Sequence, residues 1–236
     1  MIDPLSRRVE IIPAILPKSV TDLEINLTRI ENAGGTVQVD MVDGVYAKNK
    51  TWPYSAPGSF ETFVSGDEGL PHWGQFDFQF DVMAEHPELD VENFVRAGAA
   101  SVVVHAKAGG ALAAVQLLQQ YRGTELVPVE VGVALMPGAS LDTLLPFTDL
   151  YDFVQVMGVG RIGFQGQEFD ARCVELVQKL RAAHPDLCIQ VDGGVTLEHV
   201  RALAQAGANR LVVGHDILEA EDPVAEISRL RGESRI

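Results

Sequence analysis

The sequence predicts a closed (β/α)8 TIM barrel of the α/β class, folded as a single domain over residues 1–236. Three observations predict it. Short, β-rich apolar runs alternate with longer amphipathic stretches, the pattern of repeated βα units around a parallel sheet. Eight such units fit within 236 residues, slightly compact against the roughly 250 usual for this barrel. "ENAGG" (31–35), "RAGAAS" (96–101) and "QAGANR" (205–210) recur as helix endings that turn tightly into the next strand, with Gly suited to the left-handed cap. An open doubly wound sheet would favour a Gly-x-Gly-x-x-Gly turn after an early strand, and none is present there.

Taken in order, the first strand is the apolar run at 9–16, followed by an amphipathic helix at 20–33 and a second strand at 36–40. The connection from 44 to 75 is rich in Pro, Gly and aromatics. It reads as a long active-site loop with at most a short helix near 59–64, because long ordered loops at the C-terminal ends of strands tend to carry function. The third strand is 76–82, and a helix at 89–97 leads to the fourth at 101–105. A helix at 111–121 precedes the fifth strand, 127–135, and the sixth is 153–157. Helices at 171–183 and 197–206 bracket the seventh strand, 188–191, and the eighth, 210–213, is followed by a helix at 223–230.

The chain is 47% hydrophobic and 22% charged, enough to bury a substantial core. Its net charge of −15 argues against a sequence-independent nucleic-acid binder, since phosphate affinity comes mainly from clustered Lys and Arg. An anionic substrate must therefore be held locally, by backbone N–H groups or single cations. Cys173 and Cys188 show no metal-type pairing and read as reduced thiols. No run approaches the ~20 apolar residues of a membrane span, and "MIDPLSRRVEII" lacks the features of a signal peptide. A cytoplasmic location is expected by default.

In such a barrel the active site forms where strands end. Asp40 and Asp43 follow strand two, Asp81 lies in strand three, His105 ends strand four, Met157 ends strand six and Asp192 follows strand seven. Each has a plainer reading. Asp43-Gly44 and Asp192-Gly193-Gly194 fit ordinary turns, Asp81 fits a loop cap, and His105 fits a satisfied core histidine. Buried carboxylates are costly unless paired, hydrogen-bonded or metal-bound, so the convergence of Asp40, Asp81 and Asp192 on one mouth favours a functional site.

At these strand ends the sequence resembles the ribulose-phosphate 3-epimerase family over nearly its whole length. The resemblance runs in order through "IIPAIL" (11–16), "VQVDMVDG" (37–44), "FQFDVMAEHPE" (78–88), "AGAASVVVH" (97–105), "GVALMPGASLD" (132–142), "VQVMGVGRIGFQGQEF" (154–169), "IQVDGGVT" (189–196) and "AGANRLVVGHDIL" (206–218). It implies a ketose-phosphate 3-epimerase, an isomerase in which Asp40 and Asp192 act as acid and base on opposite faces of the substrate. A single base would return the proton to the face it came from. The resemblance also implies a metal site at Gln38, Asp40, Asp81 and Asp192, with Met83 and Met157 stabilising the intermediate. Family members generally place His where this chain has Gln38 and Asp81. The remaining all-oxygen set favours Mg²⁺ or Mn²⁺ over Zn²⁺, or no metal at all. Phosphate binding is expected at Gly193, Gly194, Gly214 and His215 after strands seven and eight, with Gly163 and Gly166 in a lid. The expected partner is a small-molecule sugar phosphate, with no nucleic acid and no membrane, and the chain is expected to form a homo-oligomer. The alternative from a different class is a non-catalytic or functionally diverged sugar-phosphate-binding barrel.

Overall fold

The computed structural model describes residues 9–123 and 128–234. Among the described residues, eight parallel strands close into a ring in chain order. They are β1 Glu10–Ile15, β2 Gly35–Val42, β3 Phe76–Met83, β4 Ala99–His105, β5 Glu130–Leu135, β6 Phe153–Met157, β7 Cys188–Asp192 and β8 Arg210–Val213. The ring closes where β1 pairs with β8, from Glu10 opposite Arg210 to Pro13 opposite Val213. The predicted (β/α)8 barrel is the observed fold.

The α-helices are α1 Val20–Ile30, α2 Glu61–Ser65, α3 Val91–Arg96, α4 Ala111–Leu118, α5 Arg172–Ala183, α6 Leu197–Ala206, α7 His215–Leu218 and α8 Pro223–Glu233. Helix α1 starts where the Ser19 hydroxyl accepts the Asp22 N–H at 3.1 Å, satisfying one of the donors a helix start leaves open. Its buried stripe, Leu23, Leu27 and Ile30, has helical spacing, and burial of each side chain contributes about 1.5–3 kcal/mol.

Four details differ from the sequence reading. The helix expected at 20–33 ends at Ile30 and tightens into a 3-10 turn at Glu31–Ala33, because the chain must then bend through Gly34 and Gly35 at φ +57° and +87°. The segment after β5 forms a 3-10 helix, Leu141–Phe147, containing Pro146, whose missing N–H disfavours an α-helix interior. Residue Val127, where the fifth strand was expected to begin, lies outside the described residues, and β5 is seen from Glu130. The single-turn α7 was not anticipated. In the long connection the short helix does form, as α2, and Trp52 packs edge-on against Phe60 and Phe63. Phe60 in turn meets Phe94 of α3, so the loop has an aromatic core of its own.

Alternation along each strand sends every second side chain inward. At the lower end, the Phe153 ring fills the barrel, and a Cβ on Gly132 would lie 2.4 Å from its Cζ. The Arg210 guanidinium lies 5.2 Å from the centroid of the Phe153 ring and pairs with Glu10 and Glu130. One layer up are four fully buried glutamines, Gln38, Gln79, Gln155 and Gln190. Strand register sets Gln38 beside Gln79 and Asp40 beside Asp81, and likewise Gln155 beside Gln190 and Met157 beside Asp192. The acids therefore form the next layer, at the C-terminal mouth.

Candidate active site

Asp40, Asp81 and Asp192 each offer a carboxylate oxygen within 4.8 Å of the others. Asp81 is fully buried, whereas Asp40 and Asp192 keep 7% and 8% exposure. That difference gives the last two alone access to a cavity of ≈ 180 Å³ at the barrel mouth. Met83 and Met157 line the same cavity, as do Gly163, Gly166, Gly193, Gly194, Gly214 and His215. Every residue predicted for acid–base work, intermediate stabilisation or phosphate binding thus borders one space. Gln38 and Asp81 sit behind it, fully buried.

The acids are held from below and from the side. Gln38 Nε2 donates to Asp40 Oδ1 at 2.8 Å and to Asp192 Oδ2 at 3.0 Å. Gln155 Nε2 lies 3.1 Å from Asp81 Oδ2 and 3.4 Å from Asp192 Oδ2. His105 Nε2 is 3.0 Å from Asp81 Oδ1. His105 is therefore a buried core histidine whose partner is Asp81, and it does not line the cavity. Asp43 takes the plainer of its readings: its carboxylate accepts N–H bonds from Val45, Tyr46 and Glu85 and clips two loops together.

Burial pushes Asp40 well above the usual carboxylate range, and repulsion from Asp192 and Asp81 adds to this, with the Gln38 amide opposing it. Burial likewise raises Asp192 to about 8, with Asp81 adding repulsion and the Gln38 hydrogen bond easing it. Three acids this close cannot all ionise cheaply without a cation or protons to offset them. The donor set is compatible with a hard dication, because three carboxylate oxygens within 4.8 Å of one another match the oxygen preference of Mg²⁺ or Mn²⁺. Gln38 presents its amide nitrogen to the acids, so a ligand role for this residue requires its amide to turn over.

Along the glycine-lined wall of the cavity the backbone comes close. Gly194 has φ +65°, and a Cβ there would lie 2.9 Å from the Phe169 Cα. Only glycine fits without strain at that angle. The β6 loop folds over this wall and is tied at two points. Asn49 Nδ2 donates to the Gly163 carbonyl at 2.7 Å, and Gln165 Nε2 to the Ala14 carbonyl at 3.1 Å. Gly166 lies over the His215 ring, with only 3.6 Å between a would-be Cβ and Nδ1.

The sequence reading missed the glutamine layer and the loop clamps Asn49 and Gln165. A signal for the first was present: Gln stands two residues before Asp40, Asp81, Met157 and Asp192 alike, which on a strand means the same face, one layer below. Nothing local marks the clamps, which join residues 114 and 151 positions apart.

A model of the ribulose-phosphate 3-epimerase family matches residues 10–218. The ribulose-phosphate 3-epimerase of Candida glabrata is 30% identical, covering 95% of this chain and 92% of its own length. The Eremothecium gossypii ribulose-phosphate 3-epimerase is 32% identical over the same shares, 95% and 92%. Among solved structures, 3-hexulose-6-phosphate synthase from Salmonella typhimurium superposes with a TM-score of 0.67 at 14% identity, covering 96% of this chain and 98% of that one. At that identity the likeness is one of fold.

Proposed function

The chain belongs to the ribulose-phosphate 3-epimerase family, and on that premise we propose that it is a ketose-phosphate 3-epimerase in which Asp40 and Asp192 are the acid–base pair. One observation carries the reading. A single cavity is bordered both by the two acids and by the glycine turns Gly193-Gly194 and Gly214.

A hydrogen on C3 of a ketose is acidified by the neighbouring C2 carbonyl. One aspartate removes it, leaving a planar enediolate, and the other delivers a proton to the opposite face, so C3 inverts and the two acids exchange protonation states. This needs one ionised and one protonated carboxyl at neutral pH. Burial raises both groups, with repulsion from Asp192 and Asp81 adding at Asp40 and from Asp81 at Asp192, and two acids this close share protons as a pair. Met83 and Met157 border the reacting carbons with polarisable thioethers that exclude water without competing for the proton. A dication bound by Asp40, Asp81 and Asp192 would polarise the developing oxyanion as a Lewis acid, and the oxygen donors favour Mg²⁺ or Mn²⁺. Glycine backbone at Gly194 and Gly214 lets phosphate oxygens approach closely, and the β6 loop covers them. No helix among the described residues is long and apolar enough to cross a membrane, in keeping with a small dissolved substrate.

The test is solvent exchange. Incubated in D₂O with ribulose 5-phosphate and other ketose phosphates, the protein should incorporate deuterium at C3 while inverting that centre, and Asp40→Asn and Asp192→Asn should each abolish inversion. Binding of the sugar phosphate with no deuterium incorporation would make the chain a non-catalytic binding barrel.

A further inference from the structure

A carboxamide has a direction: its nitrogen donates and its oxygen accepts. In the glutamine layer beneath the acids, three amide oxygens meet one residue's nitrogen. Gln190 Nε2 lies 2.6 Å from Gln155 Oε1, 2.7 Å from Gln79 Oε1 and 3.3 Å from Gln38 Oε1. Its N–H groups turn the oxygens of Gln38 and Gln155 toward itself, and their nitrogens therefore face Asp40, Asp81 and Asp192. The reverse setting leaves the Gln190 NH₂ without a partner and turns amide oxygens toward the acids, so it needs a cation among them. Gln190 Oε1, which is buried without a hydrogen-bond partner, would then accept N–H bonds from its neighbours, and the oxygen of Gln38 would join the carboxylates above.

We propose that Gln190 is a positioning residue that locks Gln38 and Gln155 with their N–H groups toward the acids. In this setting Gln38 ties Asp40 to Asp192 as a neutral clamp and is no metal ligand. In the reversed setting it becomes a fourth oxygen donor beside the three acids. Among the described residues Gln190 makes no hydrogen bond to an acid, and it acts through the amides it orients. The catalytic consequence, a fixed spacing of Asp40 and Asp192, rests on the epimerase reading; the amide direction does not.

The experiment uses Mn²⁺ alone as the probe and thermal unfolding as the readout, with no substrate. A carboxylate at position 190 can only accept, so Gln190→Glu draws the N–H groups of Gln38 and Gln155 downward and turns the Gln38 oxygen to the acids. Gln190→Leu removes the lock and leaves Gln38 free to turn. Both variants should bind Mn²⁺ more tightly than wild type, by about tenfold or more for the first, and adding Gln38→Leu should erase the gain. That double substitution separates the amide effect from the added charge of Gln190→Glu. Gln38→Leu by itself should bind Mn²⁺ no more weakly than wild type, which keeps the test decisive if the buried substitutions at 190 prevent folding. Loss of Mn²⁺ affinity in Gln38→Leu would overturn the proposal. So would Gln190 variants that fold without a gain, or a gain that survives removal of Gln38. Because catalysis is not measured, failure here leaves the epimerase reading intact, and absence of epimerase activity leaves the amide lock intact.

Discussion

Replacing Asp192 by Asn should stabilise the protein at neutral pH while destroying its chemistry. The carboxyl is almost wholly buried and its pKa is raised from 3.8 to about 8. Between those values the folded state binds a proton that the unfolded state has released. Stability therefore falls as pH rises from about 4 to about 8, the reverse of the usual salt-bridged aspartate. Each pKa unit corresponds to about 1.4 kcal/mol, and the ideal cost of the roughly 4-unit shift is about 4–6 kcal/mol at pH 8. Relaxation and water entry reduce that, and we expect Asp192→Asn to gain about 2–4 kcal/mol at pH 8 and close to nothing at pH 4. The substituted amide keeps an oxygen for Gln38 Nε2, so the clamp is not lost with the charge. The assay is urea unfolding from pH 4 to pH 8 in the presence of a chelator, with midpoint and slope both recorded. A variant whose pH profile parallels wild type, or which is less stable at pH 8, would refute the reasoning, because it would mean that the buried acid is not strained by its surroundings.

Gly194→Ala should raise KM for a ketose phosphate more than it lowers kcat, since the added Cβ meets the Phe169 backbone at 2.9 Å beside the glycine-lined wall of the cavity; steady-state kinetics on phosphorylated substrate measures this. Gln38→His puts an imidazole beside the three acids and should shift metal preference toward Zn²⁺, seen as a larger thermal stabilisation by Zn²⁺ than in wild type. Gly132→Ala forces its Cβ into the Phe153 ring, 2.4 Å from Cζ. It should cost about 1–3 kcal/mol of stability by overpacking while leaving KM unchanged, as judged by denaturant unfolding and kinetics together. Asn49→Ala unties the β6 loop from the β2 loop and should raise KM, with little change in the thermal midpoint.

The barrel was legible because its causes are local. Apolar runs of strand length and amphipathic stretches of helix length repeat along the chain, and a parallel strand order follows from that alternation. Where the reading slipped, a local rule was overruled by a neighbour: Gly34-Gly35 cut short the end of α1, while the 3-10 segment holding Pro146 lies where no helix was read. The acids at the strand ends were legible for a similar reason, as position on a strand decides which side chains point into the mouth.

Sequence by itself determined the layer each of these residues occupies, since period-two alternation counts Gln38 below Asp40 and Gln190 below Asp192 without any knowledge of contacts. Tertiary structure decided what those layers do. Only closure of the ring brings Gln190 within hydrogen-bond reach of residues 152, 111 and 35 positions away. Only burial separates Asp81, sealed beneath the mouth with His105, from Asp40 and Asp192, which retain a few per cent of exposure to the cavity. Hydrogen-bond direction and solvent access depend on which groups meet across the barrel, and strand alternation cannot encode either.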